Sequence, residues 1–151
     1  MKISQIITEQ YENQDPNRPA DYIDDDGTRM WYDTNGKLHR DDDLPAVIFW
    51  FFDGTHHPSH MQWYQHGILT RVDDKPTTIQ NDRNGNISQQ EWNEAGFQGK
   101  LHRETGPARI YANGEVEFWY DGWMLPMDEW AEKVGMRKHE VLMMKNKLGL
   151  H

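Results

Sequence analysis

The amino-acid sequence predicts a mainly β protein, built as an antiparallel meander of stacked β-hairpin repeats. A short N-terminal helix and a C-terminal αα-hairpin cap are predicted to flank the sheet. The first observation behind this fold class is a recurring phrase, which reads LHRDDDLPAVI at 38–48, LTRVDDKPTTI at 69–79 and LHRETGPARI at 101–110. The second is an Asp-Gly or Asn-Gly pair after each copy, and the third is a change to helical spacing of apolar residues after Pro126.

These patterns divide the 151 residues into an N-terminal amphipathic segment (1–14), a sheet of about four hairpin repeats (15–125) and a helical cap (126–151). Each repeat contains, in order, an Arg, a Pro, a turn pair and a Trp. Asp-Gly and Asn-Gly tolerate the positive φ that tight hairpin turns require. Several hairpins side by side can share an aromatic face, whereas one hairpin alone is marginal.

The composition limits the classes of function. The chain has seven Trp, six Tyr, five Phe and no Cys, so aromatic area must supply much of the core and thiol chemistry is excluded. Residues 1–126 carry eleven Lys and Arg against 21 Asp and Glu, whereas residues 127–151 carry five against four. The acidic body is expected to repel nucleic-acid backbones and anionic membranes, and no apolar run is long enough for a membrane span.

The repeated aromatic and arginine positions are the first candidate binding residues: Trp31, Trp63, Trp92, Trp119, Arg40, Arg71 and Arg103. Their periodicity allows two interpretations. The arginines can form a row that holds a ligand, or they can be structural. In the structural interpretation each stacks on a Trp of an adjacent unit or pairs with a neighbouring acid, namely Asp41, Asp42, Asp73 or Glu104. We favour the second, because repeated packing produces such a row by itself.

The stretches WYDTNG, NGKLHRDDDLPAVI, WYDG and LHRETGPARI resemble the W-Y-x-N-G-x-L-H-R-x-D-G-P-A repeats of many phage, giant-virus and some bacterial proteins. Those repeats are similar to MORN-type hairpin repeats, and the resemblance covers residues 15–125. The third unit departs from the pattern at Thr70, Thr77 and Asn93. The resemblance implies a twisted, single-layer hairpin array that serves as an interaction surface, and it implies no reaction.

Two stretches offer candidate metal ligands. Residues 80–91 place Asp82, Asn84 and Glu91 at EF-hand positions, but Gln80 stands where the first carboxylate belongs. A second group, His56, His57 and His60, has imidazoles close enough for zinc or nickel. The repeat explains both stretches as turns and loop tips, so we expect no cofactor. A metal-binding protein remains an alternative function.

The C-terminal segment predicts two helices. Asp128 is the expected cap of the first, Gly135 ends it, and Val141, Leu142, Met144 and Leu148 mark the second. The spacing also resembles a helix-turn-helix, with Arg137, Lys138 and Lys145 as candidate DNA contacts. We favour the cap, because the attached body is acidic. DNA binding is the second alternative function.

The N-terminal sequence MKISQIITE places Ile3, Ile6 and Ile7 on one helical stripe. It resembles the short capsid-targeting propeptide of T-even-like phage internal head proteins, which implies cleavage after Glu9. A short helix docked on the sheet is the other interpretation. The resemblance implies a protein found in a phage virion or in the host cytoplasm.

The function that these observations favour is a non-enzymatic protein-interaction module, phage-encoded and acidic, whose partner is a host or capsid protein. The sequence identifies neither that partner nor the oligomeric state. No paired acid and base, nucleophile elbow or phosphate-binding loop is recognised in the sequence.

Overall fold

A computed structural model describes residues 17–53, 57–96 and 99–150. Within these ranges the chain is mainly β, with a nine-stranded antiparallel sheet, a two-stranded sheet and two helices. The strands are β1 (Tyr22–Ile23), β2 (Arg29–Met30), β3 (Val47–Trp50), β4 (Pro58–Gln62), β5 (Tyr64–Gln65), β6 (Ile68–Leu69), β7 (Thr78–Asn81), β8 (Ile87–Glu91), β9 (Arg109–Tyr111), β10 (Val116–Tyr120) and β11 (Trp123–Leu125). The helices are α1 (Met127–Lys133) and α2 (Lys138–Leu148).

The large sheet is a meander with the order β1-β2-β3-β4-β7-β8-β9-β10-β11, so neighbours in sequence are neighbours in space. The small hairpin β5–β6 leaves the sheet between β4 and β7. This order agrees with the predicted antiparallel β class. The predicted N-terminal helix and the residues that support it lie outside the described residues.

The hairpin turns are stabilised by their own acidic side chains. Asp82 Oδ1 accepts the backbone N–H groups of Asn84 (2.9 Å) and Asn86 (3.0 Å), and Gly85 has a φ of +85°. Asp24 Oδ1 does the same for the N–H groups two and four residues after it, at 3.0 and 2.8 Å. Short polar side chains that cap turn amides explain why acids collect at these turns.

A backbone pattern repeats across the sheet. Each of three tryptophans donates its backbone N–H to the backbone carbonyl of a small residue in the following unit: Trp31 to Ala46 (2.9 Å), Trp63 to Thr77 (2.9 Å) and Trp92 to Ala108 (2.8 Å). All six residues are buried. Small side chains at these positions leave room for the neighbouring indole rings, which are the largest groups of this buried row.

Phe118, and not Trp119, occupies the equivalent position in the fourth unit. The N–H groups of the three small residues bind the carbonyls of Gln62, Glu91 and Glu117, each at 2.9 Å. The next residues along the chain are Trp63, Trp92 and Phe118, so the sequence alignment on Trp119 is displaced by one residue. Phe118 is 4 % exposed, like Trp31.

Helix α1 packs on β10 through Trp130, which is fully buried. Its ring centroid lies 4.7 Å from that of Phe118, and its Nε1 donates to the carbonyl of Arg103 at 2.8 Å. Val134, Met136, Val141, Met144 and Leu148 pack around this pair. Trp130 therefore covers the last aromatic ring of the buried row.

The helix ends agree only in part with the sequence prediction. Pro126 is the residue before α1, and Asp128 lies in the first turn without acting as its cap. Gly135 has a φ of +77° just after α1, as the sequence predicts, and Gly149 ends α2 with a φ of +71°. Neither described helix has the length and apolar character needed to cross a bilayer.

We predict that Trp130→Ala lowers the free energy of unfolding by about 3–5 kcal/mol, because it removes a fully buried indole and leaves a cavity beside Phe118. Trp123→Ala is the matched control, since that side chain is 75 % exposed, and we expect a change within about 0.5 kcal/mol. Urea denaturation followed by circular dichroism measures both variants. Equal effects of the two substitutions would contradict this packing.

Candidate interaction surface

The three repeat arginines stack on the tryptophans that precede them in sequence. The guanidinium carbon lies 3.8 Å from the ring centroid in the pair Arg40–Trp31 and 3.9 Å in the pairs Arg71–Trp63 and Arg103–Trp92. A guanidinium over an indole face gains cation–π attraction, and more when both groups are shielded from water. The structural interpretation of the arginine row correctly anticipated a Trp partner.

The ionic partners of Arg71 and Arg103 come from the loop of the preceding unit. Arg71 makes a two-pronged contact with the Asp43 carboxylate, at 2.7 and 3.2 Å, and Arg103 makes the same contact with Asp74, at 3.1 and 3.0 Å. The repeat pattern had predicted the acids next to each arginine, Asp73 and Glu104, as partners instead. The pairing with Asp43 and Asp74 joins adjacent units, because each ion pair crosses from one loop to the next.

The same aspartates also bind the tryptophans through their backbone. Trp63 Nε1 donates to the carbonyl of Asp43 at 2.9 Å, and Trp92 Nε1 donates to that of Asp74 at 2.8 Å. The φ angles of Asp43 and Asp74 are +54° and +53°. Asp tolerates this left-handed region better than most residues do. We call each set of one Arg, one Trp and one loop Asp a staple.

The staples change the ionisation of their members. Hydrogen bonds from Arg71 lower the pKa of Asp43 below its usual value, against the effect of burial and with help from Lys75. Burial alone would raise the pKa of Asp74, but hydrogen bonds from Arg103 and Thr105 lower it. Outside the two staples, burial, together with the nearby charge of Arg18, lowers the pKa of Arg40 to about 10.

Each arginine also donates to a proline carbonyl of its own loop, at 3.2 Å for Arg40 and Arg71 and at 3.0 Å for Arg103. In the two staples, those of Arg71 and Arg103, the tryptophan faces and the arginine nitrogens therefore have partners inside the protein. These contacts support a structural role for the row. The fourth predicted position, Trp119, instead donates its Nε1 to Glu117 at 2.9 Å.

The candidate metal ligands are separated by the fold. His57 is exposed beside the hairpin turn, whereas His60 stacks on Phe49 at 3.8 Å, and burial lowers the pKa of His60. Glu91 pairs with Arg109 at 3.1 Å, and Asp82 caps its own turn. His56 lies outside the described residues. No group of three or more potential metal ligands forms within the described ranges.

The EF-hand alignment of residues 80–91 does not describe their structure. The segment runs from the end of β7 through a tight turn into β8, so two strands flank the turn where an EF-hand requires two helices. Asn84 occupies this turn as the sequence repeat predicts.

The candidate DNA contacts are partly engaged within the helical pair. Arg137 binds Glu140 at 3.0 Å in a capping box that begins α2, and Lys145 binds Asp128 of α1 at 3.1 Å. Lys138 is exposed at the first position of α2. Two of the three positive charges are thus balanced by neighbouring carboxylates.

Two large apolar side chains of the last strand are exposed, a feature that the sequence repeat did not indicate. Trp123 is 75 % exposed and Met124 is 59 % exposed. Met124, but not Trp123, also lines an open groove of about 420 Å³, together with Val116, Phe118, Leu125, Met127 and Leu150. The signal in the sequence was the apolar stretch WML after the turn Asp121-Gly122, with no further repeat to cover it.

Comparisons of the chain with protein-family profiles, with curated proteins and with solved structures find no match. The candidate surface at β11 therefore depends on its geometry alone.

We predict a coupling free energy of about 1–3 kcal/mol between Arg71 and Asp43 in a double-mutant cycle with Arg71→Gln and Asp43→Asn. The pair is largely shielded, with side-chain exposures of 13 % and 28 %. Arg83 and Asp53 form the control pair, since their exposures of 70 % and 39 % favour a coupling below about 1 kcal/mol. Urea denaturation provides the free energies. A coupling between Arg71 and Asp43 no larger than that of the control pair argues against the staple.

We predict that acid weakens the fold through Asp43 and Asp74. Because the folded state lowers both pKa values, the unfolded chain binds protons more readily, and the stabilisation present above about pH 4 is lost as the pH falls through the folded pKa values. Thermal melting between about pH 7 and pH 2 measures this loss. In Asp43→Asn combined with Asp74→Asn, melting is expected to depend less on pH in this range. An unchanged dependence would contradict the assignment.

Proposed function

We propose that this protein is a non-enzymatic protein-interaction module whose binding surface lies at the β11 end of the sheet. The observation that carries the proposal is the exposure of Trp123 and Met124 on β11, where Met124 also lines an apolar groove. A Trp is 75 % exposed here while the indoles of the staples are buried. Exposed apolar patches with polar rims are typical of protein-binding surfaces, and Trp is enriched among residues that dominate binding energy.

The charge of the chain favours a basic partner. The net charge is −9, and the surplus of acids lies in residues 1–126. An acidic surface speeds the encounter with a positively charged protein and opposes binding to nucleic acid. The resemblance of the repeats to those of phage and giant-virus proteins extends the proposal to a phage-encoded protein that binds a host or capsid protein. The cleavage site proposed at Glu9 lies outside the described residues.

Three histidine side chains form hydrogen bonds within the fold, which supports a binding role over catalysis. His39 Nδ1 accepts the N–H of His66 at 3.2 Å, and the Nδ1 of His66 lies 2.7 Å from the buried Asp33 carboxylate. His102 Nδ1 accepts the N–H of Asp121 at 2.8 Å. These imidazoles link neighbouring small hairpins, so their hydrogen-bonding atoms serve the fold.

Site-specific photocrosslinking tests the proposal. A benzophenone amino acid replaces Trp123, or Ile87 as control, in the full-length protein, which is irradiated in a lysate of its native host. Ile87 is 48 % exposed and lies in β8, away from the helices. We expect one discrete adduct from position 123 that excess wild-type protein abolishes. An adduct that forms only from position 87 would place the binding surface elsewhere. The absence of a discrete adduct from both positions would contradict the proposed function.

A further inference from the structure

The backbone of β10 has a pairing position beside the apolar groove that none of the described strands occupies. The carbonyls of Glu115 and Glu117 accept the N–H groups of Tyr111 and Ala108, each at 2.9 Å, and so point towards the β9 side. Successive residues of a strand direct their N–H and C=O groups to opposite sides. Val116, between the two glutamates, therefore directs its N–H and C=O to the side of β11.

Strand β11 ends before it reaches Val116. The ladder pairs Tyr120 with Trp123 and Phe118 with Leu125, and the next residue, Pro126, leads into α1. Among the described residues no strand residue lies opposite Val116 on this side, and the groove opens at the same place. A strand edge that ends beside an apolar groove is a template for an added strand. We call this gap the β10 notch.

We propose that the β10 notch binds a short extended segment of a basic partner protein, which pairs with Val116 and places one apolar side chain in the groove. This inference rests on the proposed function and adds the partner's conformation and charge. Phe118, Leu125, Met127 and Leu150 form the receiving surface. A volume of about 420 Å³ suits one or two apolar side chains.

The charge near the notch favours a basic segment. Glu115 precedes Val116, while Asp128 and Glu129 follow Met127, and all three acids are exposed. Glu117, which lines the groove, is paired with Arg109, and Asp128 is paired with Lys145. Among the described residues, Glu115 and Glu129 are the acids next to the notch in sequence that form no ion pair. Lys or Arg beside the apolar anchor would complement them.

A second copy of this chain fits the notch less well. Strand β11 has three residues, and Pro126 lacks the N–H that a longer edge pairing would require. Trp123 and Met124 together supply roughly 300 Å² of exposed area, against about 800 Å² on each side of a standard stable interface. The acidic chains would also repel one another. A small linear segment needs far less area than a dimer does.

The probe for this inference is a synthetic nine-residue peptide, Lys-Thr-Lys-Val-Leu-Val-Lys-Thr-Lys, with a counterpart in which Glu replaces every Lys. Nuclear magnetic resonance of the full chain follows the amides, and titration calorimetry gives the affinity. We expect the basic peptide to shift the amides of Val116, Leu125, Met127 and Leu150. The acidic peptide is expected to leave them unchanged.

Two variants and two matched controls test the location. Leu150→Glu places a charge in the groove and Glu115→Lys reverses the charge at its rim, and each is expected to weaken binding at least about tenfold, or about 1.4 kcal/mol. Leu142→Glu, at a 61 % exposed position of α2, and Glu104→Lys, in a loop between Arg103 and Pro107, are expected to leave binding within about twofold. Thermal melting checks that every variant folds, and Glu115→Lys carries the test if Leu150→Glu does not fold.

The outcomes separate this inference from the proposed function. If the basic peptide does not bind, or if both peptides bind equally well, the assignment of the notch as a site for a basic segment is wrong. A concentration-dependent dimer that Leu150→Glu abolishes assigns the notch to a second copy and also overturns it. If the adduct from position 123 forms and Glu115→Lys leaves its yield unchanged, the notch is wrong while the protein-binding function stands.

Discussion

The fold depends on an arginine held between an indole ring and the carboxylate of the preceding loop. Arg71 and Arg103 each contact a Trp at 3.9 Å and an Asp through two nitrogens. The indole N–H returns to the carbonyl of the same Asp. One arginine side chain thus joins two hairpins, and its N–H groups find acceptors inside the protein. A purely apolar contact across the same distance would need larger side chains. This arrangement suits a chain whose large apolar groups are mainly aromatic.

The staples also explain where the array ends. After the third Trp the buried row continues with Phe118, and Trp130 of α1 lies on it where the earlier units have an arginine. The indole of Trp130 still donates to a loop residue, the carbonyl of Arg103. At this end of the sheet, the indole ring of Trp130 therefore takes the place of the repeat arginine. Within the described part of the chain, β11 has no neighbour on its outer side, which leaves Trp123 exposed and the β10 notch open.

The sequence predicted the features that depend on local chemistry. Asn84-Gly85 forms a turn because glycine adopts positive φ there, and Gly135 follows α1 for the same reason. Features that depend on register were not predictable. The Trp-Tyr-Asp-Gly string drew the alignment to Trp119, whereas the hydrogen bond to the carbonyl of Glu117 places Phe118 in the row. The pairing of Arg71 with Asp43, and not with its neighbour Asp73, joins residues 28 apart in sequence, which local chemistry does not specify.

Hydrogen exchange of the indole N–H groups tests the staples most directly, because each staple is closed by one such group. The indole protons of Trp63 and Trp92 donate to loop carbonyls, whereas Trp123 is 75 % exposed. The account predicts that the first two exchange slowly and together, through opening of the sheet, while Trp123 exchanges fast. Fast exchange of Trp63 or Trp92 in an otherwise protected sheet would contradict the account, since the loops would then open without breaking the fold.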